Sequence, residues 1–266
     1  MNWKTLILEK REGIARITIN NPEKRNCLSE QTSRELLAAL EEIRNDDTVS
    51  VVTITGAGDV SFCAGMDVHD LKRYYEHPET EAESTVLQLD ETVRNFPKVT
   101  IAVVNGYCLG AAITFLVSHD LAIASEEKAS FGLPEIMRGF TPKYVVGALF
   151  KAIPRKFAFD MLLSGENWDA RKAQAAGLVS RIAPHAELHD TAFQWAKLIA
   201  RWDPMTLEYC KKAAHASMEQ TTFYGALMAS ALYHMEHANY NPKTQQGLRD
   251  FISKEGVKAD MVAKLD

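Results

Sequence analysis

The sequence predicts an α/β fold in which an amino-terminal part alternates strands with helices and a carboxy-terminal part consists of helices alone. Two β-branched runs carry the first half of that reading. Val51 to Gly56 (VVTITG) is followed by the small-residue loop SFCAGMD and a helical segment from Val68 to Tyr75. Ile101, Val103 and Val104 lead into the turn signal Asn105-Gly106, and Gly110-Ala111-Ala112 then opens an apolar helix ending at Ser118. The second half rests on periodicity, which turns helical after Phe131 and stays so except for one strand.

In chain order, Leu6 to Glu9 and Ile14 to Ile19 alternate as a hairpin around Arg11-Glu12-Gly13. A loop through Asn20-Asn21-Pro22 reaches Ser29, an N-cap for a helix from about Glu30 to Arg44 with Leu36, Leu37, Leu40 and Ile43 at helical spacing. After the β–α repeat at Val51, His77 to Thr80 reads as a mobile loop, and a helix from about Glu83 to Asn95 stops at Phe96-Pro97. The apolar strand Leu121 to Ser125 leads into Phe131-Gly132-Leu133-Pro134-Glu135. Further helices are expected at Lys143–Ile153 and from Pro154 to Leu163, with Leu162 and Leu163 facing inward. A short helix follows Asp169, Leu178 to Ala183 is the last strand, and Ala186–Trp202, Pro204–Gln220, Phe223–Asn239 and Thr244–Lys254 complete the helical part.

At 266 residues, 46% hydrophobic and 24% charged, the chain is long enough for one large core with a helical appendage. A formal net charge of −5 without any basic block argues against nucleic-acid binding. No apolar run approaches the roughly 20 residues of a membrane span, and the amino-terminal segment lacks a signal-like apolar stretch, so no membrane partner and a cytoplasmic location are expected. Cys27, Cys63, Cys108 and Cys210 show no metal-like spacing and read as buried small hydrophobes; no metal site is expected. The eight histidines show no triad spacing.

The chemistry concentrates in two places. Small residues at a strand-to-helix turn let a ligand approach the backbone, and the first helical turn carries unpaired N–H groups that suit a developing oxyanion. Two such loops offer two donors, and Glu135, set after a Gly and a Pro in apolar surroundings, offers a general base. The same pattern also fits a plain buried β–α unit whose glycines turn corners and whose Glu135 is a solvated loop residue.

Five stretches in order along nearly the whole chain resemble the crotonase superfamily, the enoyl-CoA hydratase/isomerase family: NNPEKRNCLS, SFCAGMD, AVVNGYCLGAA, FGLPEIMRGFTP and LLSGENWDARKAQAAGLVSRIAP. The resemblance implies a spiral of β-β-α turns over residues 1–200 and a helical trimerisation region over residues 201–266, in a homotrimer or a hexamer built as a dimer of trimers. It implies an acyl-CoA thioester substrate, with coenzyme A entering as part of that substrate and no separate cofactor. Carried over by position, the backbone N–H groups of Met66 and Ala111 would bind the thioester oxygen and Glu135 would be the acid/base. Lys24 and Arg25 would lie near the nucleotide phosphates, and the backbone around Ala64 and Asp67 near the adenine and pantetheine.

Two departures bear on the reaction. Hydratases of the family use a second glutamate that falls here on Thr114, which cannot act as a carboxylate; its hydroxyl would position a water or substrate oxygen, or bond back to the helix backbone. A glycine of the family pattern is replaced by Lys143, which either faces Glu135 or points to solvent. A single glutamate resembles double-bond isomerases. It also resembles the hydroxycinnamoyl-CoA hydratase/lyases, which this chain further resembles in the tail HANYNPKTQQGLRDFISKEGVKADM, with Tyr224, Tyr233 and Tyr240 as candidate phenol-recognising groups. Hydration or isomerisation of an enoyl-CoA is the reading adopted; aryl-propenoyl-CoA cleavage, thioester hydrolysis or decarboxylation, and a non-catalytic acyl-CoA-binding member are the alternatives.

Overall fold

The computed structural model describes residues 3–77 and 85–253. The chain divides into two compact units, Met1–Arg201 and Trp202–Asp266. In the first, β1 (Leu6–Arg11) and β2 (Ile14–Ile19) form the antiparallel hairpin, with Leu6 opposite Ile19 and Arg11 opposite Ile14. Ser29 caps α1 (Glu30–Arg44) by accepting from the Thr32 N–H, and Leu36, Leu40 and Ile43 are fully buried along one face. There follow β3 (Val51–Gly56), β4 (Ser61–Cys63), α2 (Val68–Glu76), α3 (Thr85–Arg94), β5 (Val99–Val104), β6 (Tyr107–Leu109) and α4 (Ala111–Val117). Next come β7 (Leu121–Ser125), β8 (Ser130–Gly132), α5 (Lys143–Ala152), α6 (Arg155–Ser164), β9 (Trp168–Asp169), α7 (Ala170–Ala175), β10 (Arg181–Ala183) and α8 (Leu188–Ala200). The part of the expected mobile loop beyond His77 lies outside the described residues.

The long strands build one sheet in the order β1-β2-β3-β5-β7-β10, parallel from β2 onward. Every residue of β3 and β5 is buried, which is why these strands read as continuous apolar runs rather than alternating ones. The short strands build a second sheet, β4-β6-β8-β9. Each turn of the chain thus runs long strand, short strand, helix, and the repeat makes a spiral of β-β-α turns. Residue patterning alone placed loops where the second sheet lies; its strands were expected only through the β-β-α spiral that the resemblance implied. Strands of two or three residues carry no periodicity of their own; they exist because Cys63 pairs with Cys108, Cys108 with Phe131, and Phe131 with Trp168.

Two buried asparagines tie the layers together. Asn105, read from sequence as half of a turn signal, donates to the Gly56 and Gly58 carbonyls at 2.9 and 2.7 Å and accepts from the Gly56 N–H at 3.3 Å. Asn26 does the same for the loop before β4, donating to Ala57 O and Ser61 O and accepting from Asn21 N–H. Removing either would orphan buried backbone groups at about 1–3 kcal/mol each.

Two expectations are corrected. Leu163 is 61% exposed: Ala158 and Met161, three residues apart on α6, form the buried face, and Leu163, two residues beyond Met161, falls on the opposite side of the helix. Cys210 is exposed, unlike Cys27, Cys63 and Cys108. In the second unit, α9 (Pro204–Met218), α10 (Phe223–Tyr240) and α11 (Pro242–Ser253) follow one another, and Lys254 lies outside the described residues. Asp203 caps α9 and binds Thr206, Asn241 and Lys243. Burial alone would push its carboxyl up, but these donors hold it down at about 2. Among the described residues no helix is long and apolar enough to cross a membrane.

Candidate active site

The first loop is zipped onto the segment before α1. Ala64 N–H donates to Arg25 O at 3.1 Å, Leu28 N–H to Gly65 O at 2.8 Å, and Asp67 N–H to Leu28 O at 3.3 Å. The Cys63 thiol also faces Gly65 O, at 3.9 Å. In a trans peptide the carbonyl and the N–H point opposite ways, so fixing Gly65 O toward Leu28 turns the Met66 N–H away from it. Gly65 sits at φ +90°, and a Cβ there would lie 2.7 Å from Leu109 O and 3.2 Å from Ala111 N. Only glycine lets the first loop pack this closely against the backbone of the second.

The second loop turns at Gly110, whose φ is +59° and whose N–H donates to Gly132 O at 3.0 Å. The structure therefore brings the backbones carrying Met66 and Ala111 together, and among the described residues neither N–H has a backbone acceptor. Glu135 meets this point from the third turn. Its Oε1 lies 2.7 Å from where a Gly110 Cβ would stand, and its own carbonyl, accepting from Arg138 and Phe140 N–H, holds the turn that presents it. Its Oε2 is buried with no hydrogen-bond partner among the described residues. Desolvation raises the pKa of the carboxyl, opposed by its own backbone N–H and by Arg138. A carboxyl in this state suits proton transfer near neutral pH better than a solvated one. The solvated-loop alternative for Glu135 is thereby removed.

Thr114 lies one turn along α4 from Ala111, buried, and its Oγ1 has no partner among the described residues, so the back-bonded alternative is not the arrangement found. Lys143 is exposed, with its ammonium 5.6 Å from the centre of the Tyr144 ring; the cation acting on Glu135 is Arg138, which the sequence reading did not single out. Lys24, Arg25, Ala64 and Asp67 come together at the outer edge of the first loop. Lys24 Nζ is 3.1 Å from Asp67 Oδ2, Asp67 caps α2 through His69 N–H, and Arg25 contributes its carbonyl to Ala64 and Ser61 while its side chain is exposed. Tyr224 and Tyr240 stand exposed and Tyr233 half-buried on α10. Among the described residues no cluster of three His, Cys, Asp or Glu is placed to hold a metal ion.

A β-β-α spiral over a parallel sheet, with two small-residue loops meeting beside a buried carboxyl, is the crotonase fold. The chain matches the enoyl-CoA hydratase/isomerase family over residues 9–258. It is 31% identical to a hydroxycinnamoyl-CoA hydratase-lyase of Pseudomonas fluorescens, across 98% of this chain and 96% of that protein. It is 32% identical to a 2,3-dehydroadipyl-CoA hydratase of Escherichia coli K12, across 94% and 96%. Human enoyl-coenzyme A hydratase domain-containing protein 3 superposes with a TM-score of 0.86 at 27% identity, covering 94% of this chain and 98% of that one. The chain belongs to the enoyl-CoA hydratase/isomerase family and is an enzyme of that family.

Proposed function

We propose that the protein converts an unsaturated acyl-CoA through a thioester enolate, with Glu135 as its one acid/base, by hydration or by double-bond isomerisation. The observation that carries this is the single desolvated carboxyl at the point where the Gly65–Met66 and Gly110–Ala111 backbones meet. The thioester oxygen accepts from the Met66 and Ala111 N–H groups, which stabilise the negative charge that develops there; such donors are worth about 3 kcal/mol each. For hydration, the Glu135 carboxylate takes a proton from water, the oxygen adds to Cβ, and the protonated Glu135 returns the proton to Cα of the enolate. For isomerisation, it takes a proton from Cα of a 3-enoyl thioester and returns it to Cγ. The Thr114 hydroxyl supplies a hydrogen bond to the water or substrate oxygen. Lys24 and Arg25 face the nucleotide phosphates, and the backbone of Ala64 and Asp67 lines the adenine and pantetheine.

The match to a hydratase-lyase over nearly the full length of both chains favours a second reading. An aryl-propenoyl-CoA is first hydrated. Glu135 then takes the β-hydroxyl proton, the Cα–Cβ bond breaks to give an aromatic aldehyde and the acetyl-CoA enolate, and the protonated Glu135 returns the proton to Cα to form acetyl-CoA. Incubation with crotonyl-CoA, a 3-enoyl-CoA and feruloyl-CoA, with products identified by mass, separates these. Addition of one water to crotonyl-CoA marks hydration and a 2-enoyl product marks isomerisation. Vanillin with acetyl-CoA marks cleavage, and silence on all three overturns hydration, isomerisation and cleavage in favour of hydrolysis, decarboxylation or a non-catalytic acyl-CoA-binding role.

A homotrimer, alone or as half of a hexamer, accounts for α10, which has no buried residue and exposes Phe223, Leu227, Leu232 and Met235. Sedimentation equilibrium is expected to give three or six times the 29.7 kDa chain mass; a monomer would exclude it.

A further inference from the structure

Among the described residues of the first unit, and outside those given roles above, one more carboxyl is buried with an unpartnered oxygen. Asp90 lies on the inner face of α3 with Val86, Leu89 and Val93, is 6% exposed, and its Oδ1 has no hydrogen-bond partner among the described residues. Helix α3 packs against α1 and α4. Burial pushes the thiol of Cys63, which ends β4 two residues before Gly65, up to about 12, and Asp90 is among the lesser causes, within electrostatic reach of it. Cys63 pairs in register with Cys108, whose thiol reaches Ala112 O on the first turn of α4 at 3.4 Å. The unpaired oxygens of Asp90, Thr85 and Thr114 therefore sit on two helices that pack on each other, and Glu135 adds its own at the start of the second. A folded protein leaves few buried polar atoms unpaired, so a group of them on adjoining elements calls for partners from outside the chain, a water or a bound ligand.

We infer that Asp90 is a specificity residue, hydrogen-bonding a hydroxyl carried by the acyl group of the thioester. This rests on the acyl-CoA reading given above. The class of group follows from what surrounds the carboxyl. Only burial acts on its acidity, which raises its pKa well above the ordinary range, and no cation is among the causes. A substrate carboxylate would bring a second uncompensated charge into that interior. A hydroxyl brings none, and it can donate to or accept from a neutral carboxyl. An acyl chain with no polar group would leave Asp90 unpaired, and that difference is the source of discrimination.

The test uses saturated thioesters, which bind without turning over. Affinities of the wild-type protein and Asp90→Leu for 3-phenylpropanoyl-CoA and for its 3-hydroxyphenyl and 4-hydroxyphenyl counterparts are measured by titration calorimetry. The wild type is expected to bind one hydroxylated thioester about tenfold or more tighter than the unsubstituted one. Asp90→Leu is expected to bring that ratio to within about twofold and to raise the melting temperature, since an unpaired carboxyl is replaced by an apolar group. A residue with a purely structural role would lower the melting temperature and leave the ratio alone. Equal affinities in the wild type overturn the inference whether or not the variant folds. If none of the thioesters binds, the acyl-CoA reading falls with it, whereas equal tight binding leaves that reading standing and removes only the role of Asp90.

Discussion

Glu135→Gln is expected to lower kcat by about 10²-fold or more on whichever thioester the wild type converts, with KM changed only a few-fold. The amide keeps the shape that packs against Gly110 and loses the proton-transfer capacity, so the ground-state complex survives and the chemistry does not. The pH dependence follows from the raised pKa of this carboxyl. Its ionised form is the base, so the wild-type rate rises as pH climbs through a value above the ordinary carboxylate range, and the variant's residual rate lacks that limb. Stability moves the other way. A carboxyl whose folded pKa exceeds its unfolded one contributes stability that is complete below the unfolded value and is lost as pH rises through the folded one. Melting temperatures at pH 5 and pH 8 therefore give a second readout. Glu135→Gln is at least as stable as the wild type at pH 8, and its advantage shrinks at pH 5. An unaltered kcat would remove Glu135 from the mechanism, and an advantage that grows toward pH 5 would contradict the desolvation that raises its pKa.

Gly65→Ala is expected to damage both the site and the fold. The new methyl would stand 2.7 Å from Leu109 O and 3.2 Å from Ala111 N, and both are backbone atoms held by the second sheet and α4. No side chain can swing away to make room. The φ of +90° adds strain of about 1–2 kcal/mol for any residue with a Cβ. The Met66 and Ala111 amides must separate, and a shift of about 1 Å in a positioned group costs about 10²-fold in rate. We expect kcat/KM to fall by about that factor, with a destabilisation of about 2–4 kcal/mol in urea unfolding. Wild-type kcat/KM in a destabilised Gly65→Ala would show that the two amides do not act on one oxygen.

Much of the spiral was legible because its long strands and helices advertise themselves locally. VVTITG and IAVV are apolar throughout because both faces of the sheet are covered, and α1 shows its buried stripe and its Ser29 cap in the spacing of its residues. The candidate site was legible to the extent that two small-residue loops and one carboxyl, Glu135, follow strands; the resemblance then singled out Met66 and Ala111 before any contact was known. Their convergence could not be read from the chain. Residues 65 and 110 lie far apart in sequence and meet only because β4 and β6 pair, and strands of three residues leave no pattern.

The same limit applies to the energetics. Asn105 reads as a turn residue and is a fully buried cross-link; Asp90 falls within a helix whose pattern does not mark it and is a desolvated carboxyl. Sequence by itself determined the order of most strands and helices and which residue types stand at the strand ends, because periodicity and short-range turn chemistry are properties of neighbouring residues; the family followed from five stretches that resemble its motifs in order. Tertiary structure alone decided which loop backbones meet, which of the two outcomes held for Lys143, and that Glu135 is desolvated. Those depend on distances and dielectric surroundings set by residues brought together from distant parts of the chain.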